Sequence, residues 1–181
     1  MSTKDLALLP LVSFLAGCIS ISSYPTDWPQ IAQGSADACP QVSGSYRNVG
    51  ERRGAPGRSY LAYQFFPKSA SSTRADRVVI EMPDPNTVSI RTMSGVGVLN
   101  ESTLTREKKE FLCEEGFLAI RKGWSGMSEA LGVSNETIYL ARSQDGSLMV
   151  KETSAGIAIA IIIPIPGLVT TWSRYDTAPN F

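Results

Sequence analysis

The sequence predicts a mainly β fold, an antiparallel β-barrel or sandwich of about eight strands with one short helix. Three observations carry this expectation. Apolar and polar residues alternate with period two over several short runs, Gly- and Pro-rich corners separate those runs, and a helical period surfaces in only one convincing place. The chain has 181 residues, 43% of them hydrophobic and 19% charged, which suits one folded domain with its ends.

In chain order, Ser45–Val49 is the first run. Ser59 is placed to cap a helix over Tyr60–Phe66, where Leu61 and Phe65 share a face and Pro67 ends the turn. Arg77–Met82 stops at Pro83-Asp84-Pro85-Asn86. Thr87–Met93 sets Val88 and Ile90 on one face, Ser89 and Arg91 on the other. Arg106-Glu107-Lys108-Lys109-Glu110 mixes signs and reads as a solvated strand or turn. Phe117–Lys122 is entered through a turn at Glu114-Glu115-Gly116, and Ser125–Leu131 reads as a second turn of helix. Thr137–Arg142 and Ser147–Glu152 flank Gln144-Asp145-Gly146, a favoured hairpin corner. Ile157–Ile163 and Val169–Tyr175 flank Pro164-Ile165-Pro166-Gly167. A hollow barrel and a filled sandwich both put alternate apolar residues inside, so the pattern leaves the two open.

The N-terminus reads as an address. Lys4 and the free amine make a short basic start, partly offset by Asp5, and an apolar run follows from Leu6 to Leu15. Such a run is too short to cross a hydrocarbon core of roughly 30 Å as a helix, and it suits a secretory h-region. It closes on Leu15-Ala16-Gly17-Cys18, which resembles the lipobox of bacterial prolipoproteins. In that family small residues admit the peptidase and the cysteine thiol accepts a diacylglyceryl group. The resemblance implies a signal peptide over residues 1–17, lipidation of Cys18 with palmitate-like chains, and a mature chain of residues 18–181. Ile19, not aspartate, follows the cysteine, and by the enterobacterial sorting rule this implies the outer membrane, facing the periplasm. The residues by themselves also fit an ordinary secretory peptide with a chance cysteine, or a buried helix.

Residues 18–40 carry Ser, Pro, Gly and Ala without a period and read as a lipidated tether before a β-rich domain over 41–181. Tyr24 and Trp28 have two places open to them, the headgroup region or the folded body. With Cys18 assigned to lipid, Cys39 and Cys113 remain, an even count in an oxidising compartment. They are expected to form a disulfide, the alternative being two separate buried thiols.

Composition narrows the function. Seventeen Lys+Arg balance seventeen Asp+Glu, so no net charge points to nucleic acid, and the chain has no histidine. That absence excludes Ser-His-Asp, Cys-His and His-ligated metal chemistry. Gly123-Trp124-Ser125-Gly126 fails as GxSxG at Met127, and Asp84-Pro85-Asn86 continues without calcium ligands. No catalytic, cofactor-binding or metal residues are expected. Arg47, Arg52, Arg53 and Arg58 surround a Gly-rich loop and read either as a phosphate-binding cluster or as a solvated loop. Ile157–Ile163 reads as a strand buried on both faces, or as a hairpin that touches lipid or lines an apolar pocket. Gly44-Ser45-Tyr46 and Trp172-Ser173-Arg174-Tyr175 resemble the lipocalin pattern, in which an aromatic packs under a late arginine and closes a barrel end. The layout also resembles that of small proteobacterial lipoproteins. The expectation is a non-enzymatic lipid-anchored envelope protein, either an interaction or structural module for another envelope protein or a lipocalin-like carrier of a small apolar ligand or lipid.

Overall fold

The computed structural model of the chain describes residues 18–32, 39–67, 69–126, 131–160 and 163–179. The expected signal peptide lies outside the described residues, as does the 33–38 stretch of the expected tether. Twelve strands and one helix follow in order: β1 Cys18–Ile21, β2 Gly44–Arg47, β3 Val49–Arg53, β4 Ser59–Tyr60, α1 Leu61–Phe65, β5 Arg77–Asp84, β6 Thr87–Ser94, β7 Gly97–Thr105, β8 Phe111–Glu114, β9 Phe117–Gly126, β10 Leu131–Arg142, β11 Leu148–Ala160 and β12 Ile163–Tyr175.

The larger sheet runs β4-β3-β12-β11-β10-β9-β8, with β1 added to β12, and the smaller runs β2-β5-β6-β7. The β1–β12 pairing is parallel, whereas the other strand pairs are antiparallel. The sheets do not close on themselves, which makes the architecture a sandwich. Side chains fill the space between the layers. Val78, Ile80, Val88 and Ile90 of the smaller sheet meet Leu118, Ile138, Leu140, Leu148 and Val150 of the larger, with Tyr46, Phe111 and Tyr175 among the largest fully buried groups. Each such side chain contributes roughly 1.5–3 kcal/mol by leaving water.

Short-range chemistry explains the corners. Glu115 and Gly116 both take positive φ, 53° and 79°, the conformation a two-residue I′ hairpin requires between Glu114 and Phe117. Gly146, at φ 88°, turns β10 into β11, and Asp145 accepts the Ser147 backbone N–H at 3.0 Å beside it. Asn86 donates its backbone N–H to Asp84 Oδ1 at 2.7 Å in the β5–β6 corner.

Three expectations need correction. Among the described residues the strands number twelve, where about eight are expected. The short β1, β3, β4 and β8 and the weakly alternating β7 escape a periodicity reading, while Ser147–Glu152 and most of Ile157–Ile163 join in one strand, β11. Pro164 and Pro166 lie inside β12 rather than at a hairpin tip. There β12 pairs with β11 on one side, and β1 joins the other only from Gly167, so the missing N–H groups break no ladder. Lastly, where a helical turn is expected over Ser125–Leu131, Ser125–Gly126 ends β9 and Leu131 begins β10, while residues 127–130 lie outside the described residues. The one helix stands where expected, but Ser59 does not cap it; Asn48 Oδ1 accepts the Ala62 N–H at 2.8 Å instead. Asn48 also donates to Ser72 O and Ala75 O, a fully buried hub joining the β2–β3 corner to α1 and to the α1–β5 loop.

Candidate functional site

Cys39 and Cys113 are brought together as a disulfide pair, their Cα atoms 5.0 Å apart across 74 residues of sequence. Both pack against the inter-sheet core, so the bridge fastens the stretch before β2 to the edge strand β8. Cys18 opens β1, its backbone paired with Gly167. Its side chain lies outside the described residues.

The stretch read as a tether is held to the body over residues 18–32. Trp172 Nε1 donates to Ser22 O at 3.0 Å, and Tyr24 OH donates to Pro29 O. Tyr24 meets Trp28 and Trp172 edge-on, with ring centroids 6.2 and 5.0 Å apart. Trp28, Met149 and Trp172 form a second apolar cluster on the outer face of the larger sheet, flanked by Tyr24, Ile31 and Phe117. Farther along, Ala32 N donates to Arg142 O and Gln144 N to Gln30 O. Gly54 makes this strap possible. At φ 87° it adopts a conformation few side chains tolerate, and a Cβ there would lie 2.2 Å from Ser22 Oγ.

The four arginines do not converge. Arg52 reaches Glu152 at 3.5 Å and Thr171 Oγ1 at 3.4 Å, whereas Arg53 pairs with Asp27 and Glu51 at 3.0 and 2.7 Å. Arg47 and Arg58 are exposed. Two guanidinium groups are thus occupied by carboxylates, which leaves no four-arginine phosphate cradle. The lipocalin-like residues also part company. Tyr46 lies between the sheets and donates to Val42 O at 2.9 Å, whereas Arg174, paired with Met149 of the outer cluster, holds Asp145 and Asp176 at 2.9 and 3.3 Å. Ile157, expected to be buried, is 47% exposed, and Val169 is 40% exposed. Ile157 lies on the outer face of the larger sheet, with Trp172, and Val169 on the inner face.

Sequence reasoning misses a row of charge on the inner face of the larger sheet. Gln64 Nε2 donates to Glu152 at 3.0 Å, Lys122 Nζ donates to Gln64 Oε1 at 3.1 Å, and Lys122 also pairs with Glu136. With Arg52 these groups form a half-buried chain across β3, β11, β10 and β9, bound to α1 through Gln64. The signal was available. The inward runs Leu118-Ile120-Lys122, Glu136-Ile138-Leu140 and Leu148-Val150-Glu152 each carry a charge at the same end, with Glu152 paired opposite Ile138, two residues short of Glu136. This row marks where the filled core stops. Beside it a cleft of about 280 Å³ is lined by Gln64, Phe65, Ile90, Leu104, Ile120 and Lys122, among others. That is just below the ~300–1,000 Å³ of ordinary small-molecule sites.

No protein-family model matches the chain, and no curated protein or solved structure is found similar to it.

Proposed function

We propose that this protein is a non-enzymatic envelope lipoprotein, anchored through Cys18 at the outer membrane and facing the periplasm, that serves as an interaction or structural module for another envelope protein. The anchor is supported by Leu15-Ala16-Gly17-Cys18 at the end of a short apolar run. The module reading is carried by one observation. The inter-sheet space is packed with side chains, yet the β6–β7 hairpin turns Val96, Val98 and Leu99 outward, exposed by 89%, 52% and 37%. An apolar tip of this kind costs solubility and is the common mark of a contact surface.

Two experiments test the reading. Labelled palmitate should enter the wild-type chain but not Cys18→Ala. A photocrosslinker placed at Val98 of the full chain should give a discrete adduct in envelopes, absent when the probe sits at Glu107 on the β7–β8 turn. Equal, diffuse labelling from both positions would contradict the module.

A further inference from the structure

We propose that the outer edge of β7 takes an extended segment of the partner protein as a fifth strand of the smaller sheet. That segment carries a basic side chain across from Glu101 and apolar side chains at the alternate positions. This rests on the interaction-module reading above and deepens it, from an apolar tip to the chemistry of what is bound.

The two edges of the smaller sheet are treated differently. The β2 edge is covered by the chain itself. Arg47 N donates to Asp176 O and Ala178 N to Ser45 O, both at 2.8 Å, around an antiparallel bridge between Tyr46 and Thr177. The β7 edge is longer, nine residues against four. Among the described residues only β6 pairs with it, and no backbone hydrogen bond joins Gly97–Leu104 to any other segment. A row of unpaired N–H and C=O groups is a template for another strand.

The register fixes which side chains an added strand meets. On the inner face Ile80, Ile90 and Ser102 lie across from one another in one row. A residue added across Ser102 extends that row beside the cleft lined by Phe65, Ile90, Leu104 and Ile120, so an apolar side chain there leaves water. Two charged residues also line the cleft. Lys122 is held by Glu136 and Gln64 Oε1, and Arg121 belongs to the outer face of its sheet through its pairing with Thr137. Toward the tip, Asn100 is bound to Ser69, Ser71 and Thr92, which closes the inner row there. The open stretch is therefore Glu101–Leu104.

The outer face supplies the charge. Glu101 is exposed, is the only charged residue of β7, and makes no ion pair among the described residues. Its cross-strand neighbour Arg91, the only cation of β6, is held by Glu81 at 2.6 Å. Opposite charges facing one another across strands favour pairing, and like charges oppose it. The same rule disfavours a second copy as the occupant. Glu101 is the fifth of nine residues, so two β7 strands paired antiparallel over their whole length set Glu101 against Glu101. A basic side chain on a partner segment meets no such conflict.

The test uses the full chain, processed in a bacterial host and purified in detergent. It is mixed with either of two nine-residue peptides that alternate threonine and valine, one with lysine at its centre and one with glutamate. The lysine peptide should slow amide exchange within residues 97–104, leave β2 and β8 unchanged, and bind about fivefold more tightly than the glutamate peptide. In Glu101→Lys that preference should reverse, with unchanged exchange in β5 and β6 showing that the variant is folded. Neither peptide slowing β7 exchange at millimolar concentration overturns the added strand and leaves Glu101 as a guard of the edge. Equal binding of both peptides without reversal overturns it as well, and so do dimers in sedimentation with β7 already protected, which would give the edge to a second copy. The photocrosslinker at Val98 separates this proposal from the reading beneath it. A Val98 adduct undiminished by Glu101→Lys overturns the added strand and keeps the module, whereas charge-reversing peptide binding without any Val98 adduct in envelopes keeps the edge and overturns the module.

Discussion

Tyr175 shows how much a single buried polar group can reveal. Burial between the sheets is the main force on its phenol, and it pushes the pKa up from 10.0 to about 12 against the hydrogen bonds of Ser59 and Ser173. A phenol whose folded pKa lies above its unfolded value contributes stability that is whole below pH 10 and is lost as pH rises toward 12. We expect about 2–3 kcal/mol of stability to disappear over that interval, less whatever water enters at high pH. Urea unfolding from pH 8 to pH 11.5 checks it. Tyr175→Phe should lose about 1 kcal/mol at neutral pH, the Ser59 partner being left unpaired, and should show a flatter alkaline limb. Gly50 is a second sensitive point. A Cβ there would lie 2.5 Å from Arg174 O and from the Tyr175 ring, so Gly50→Ala should cost about 1–3 kcal/mol in the same assay. Neither contact is legible in the sequence, because no local pattern shows which strand will lie across these residues.

At the scale of elements, the strap of residues 18–32 and the inward charge row separate two kinds of legibility. Val88 and Ile90, or Leu118 and Ile120, announce their strands by alternation, and Asp145-Gly146 announces its corner by turn chemistry. The strap announces nothing. Its residues have no period, and it is ordered by partners at positions 142–172, far away in sequence. Substituting Gly54 by Val should press on Ser22 and loosen it. The expected outcome is faster amide exchange over residues 19–30 with the exchange of β5 and β6 unchanged; uniform acceleration would mean the strap is part of the global fold. The charge row belongs to the same scale. Lys122 and Glu136 retain 20% and 27% side-chain exposure, so solvent screens the pair. A Lys122→Met, Glu136→Met double-mutant cycle should give a coupling of no more than about 1 kcal/mol. The row's task is to end the apolar core cleanly, a duty that a weak pair performs as well as a strong one.

For the whole molecule, the fold class was legible because alternation survives averaging over many strands, while the choice between sandwich and barrel was not. That choice depends on which strands meet at the sheet edges, and β4 and β8 end the larger sheet unjoined. The Cys39–Cys113 bridge is the long-range constraint that composition did foretell. It closes a 74-residue separation, and its reduction should lower stability by roughly 4 kcal/mol on the chain-entropy model, measured as a shift in the urea midpoint with and without reductant. The candidate sites divide the same way. Cys39 and Cys113 were readable from count and context, whereas the outward Val96–Leu99 tip became visible only once β6 and β7 were paired and their exposures known.

The central claim is the proposal, made from Leu15-Ala16-Gly17-Cys18, that the mature chain begins at an acylated Cys18. The most direct measurement is the mass of the N-terminal peptide from wild-type protein extracted from bacterial envelopes. The account predicts a peptide starting at Cys18 and carrying diacylglyceryl and N-acyl mass, with Cys18→Ala retained as the unprocessed precursor. A chain cut elsewhere, or one starting at Cys18 with a free thiol and amine, would contradict it.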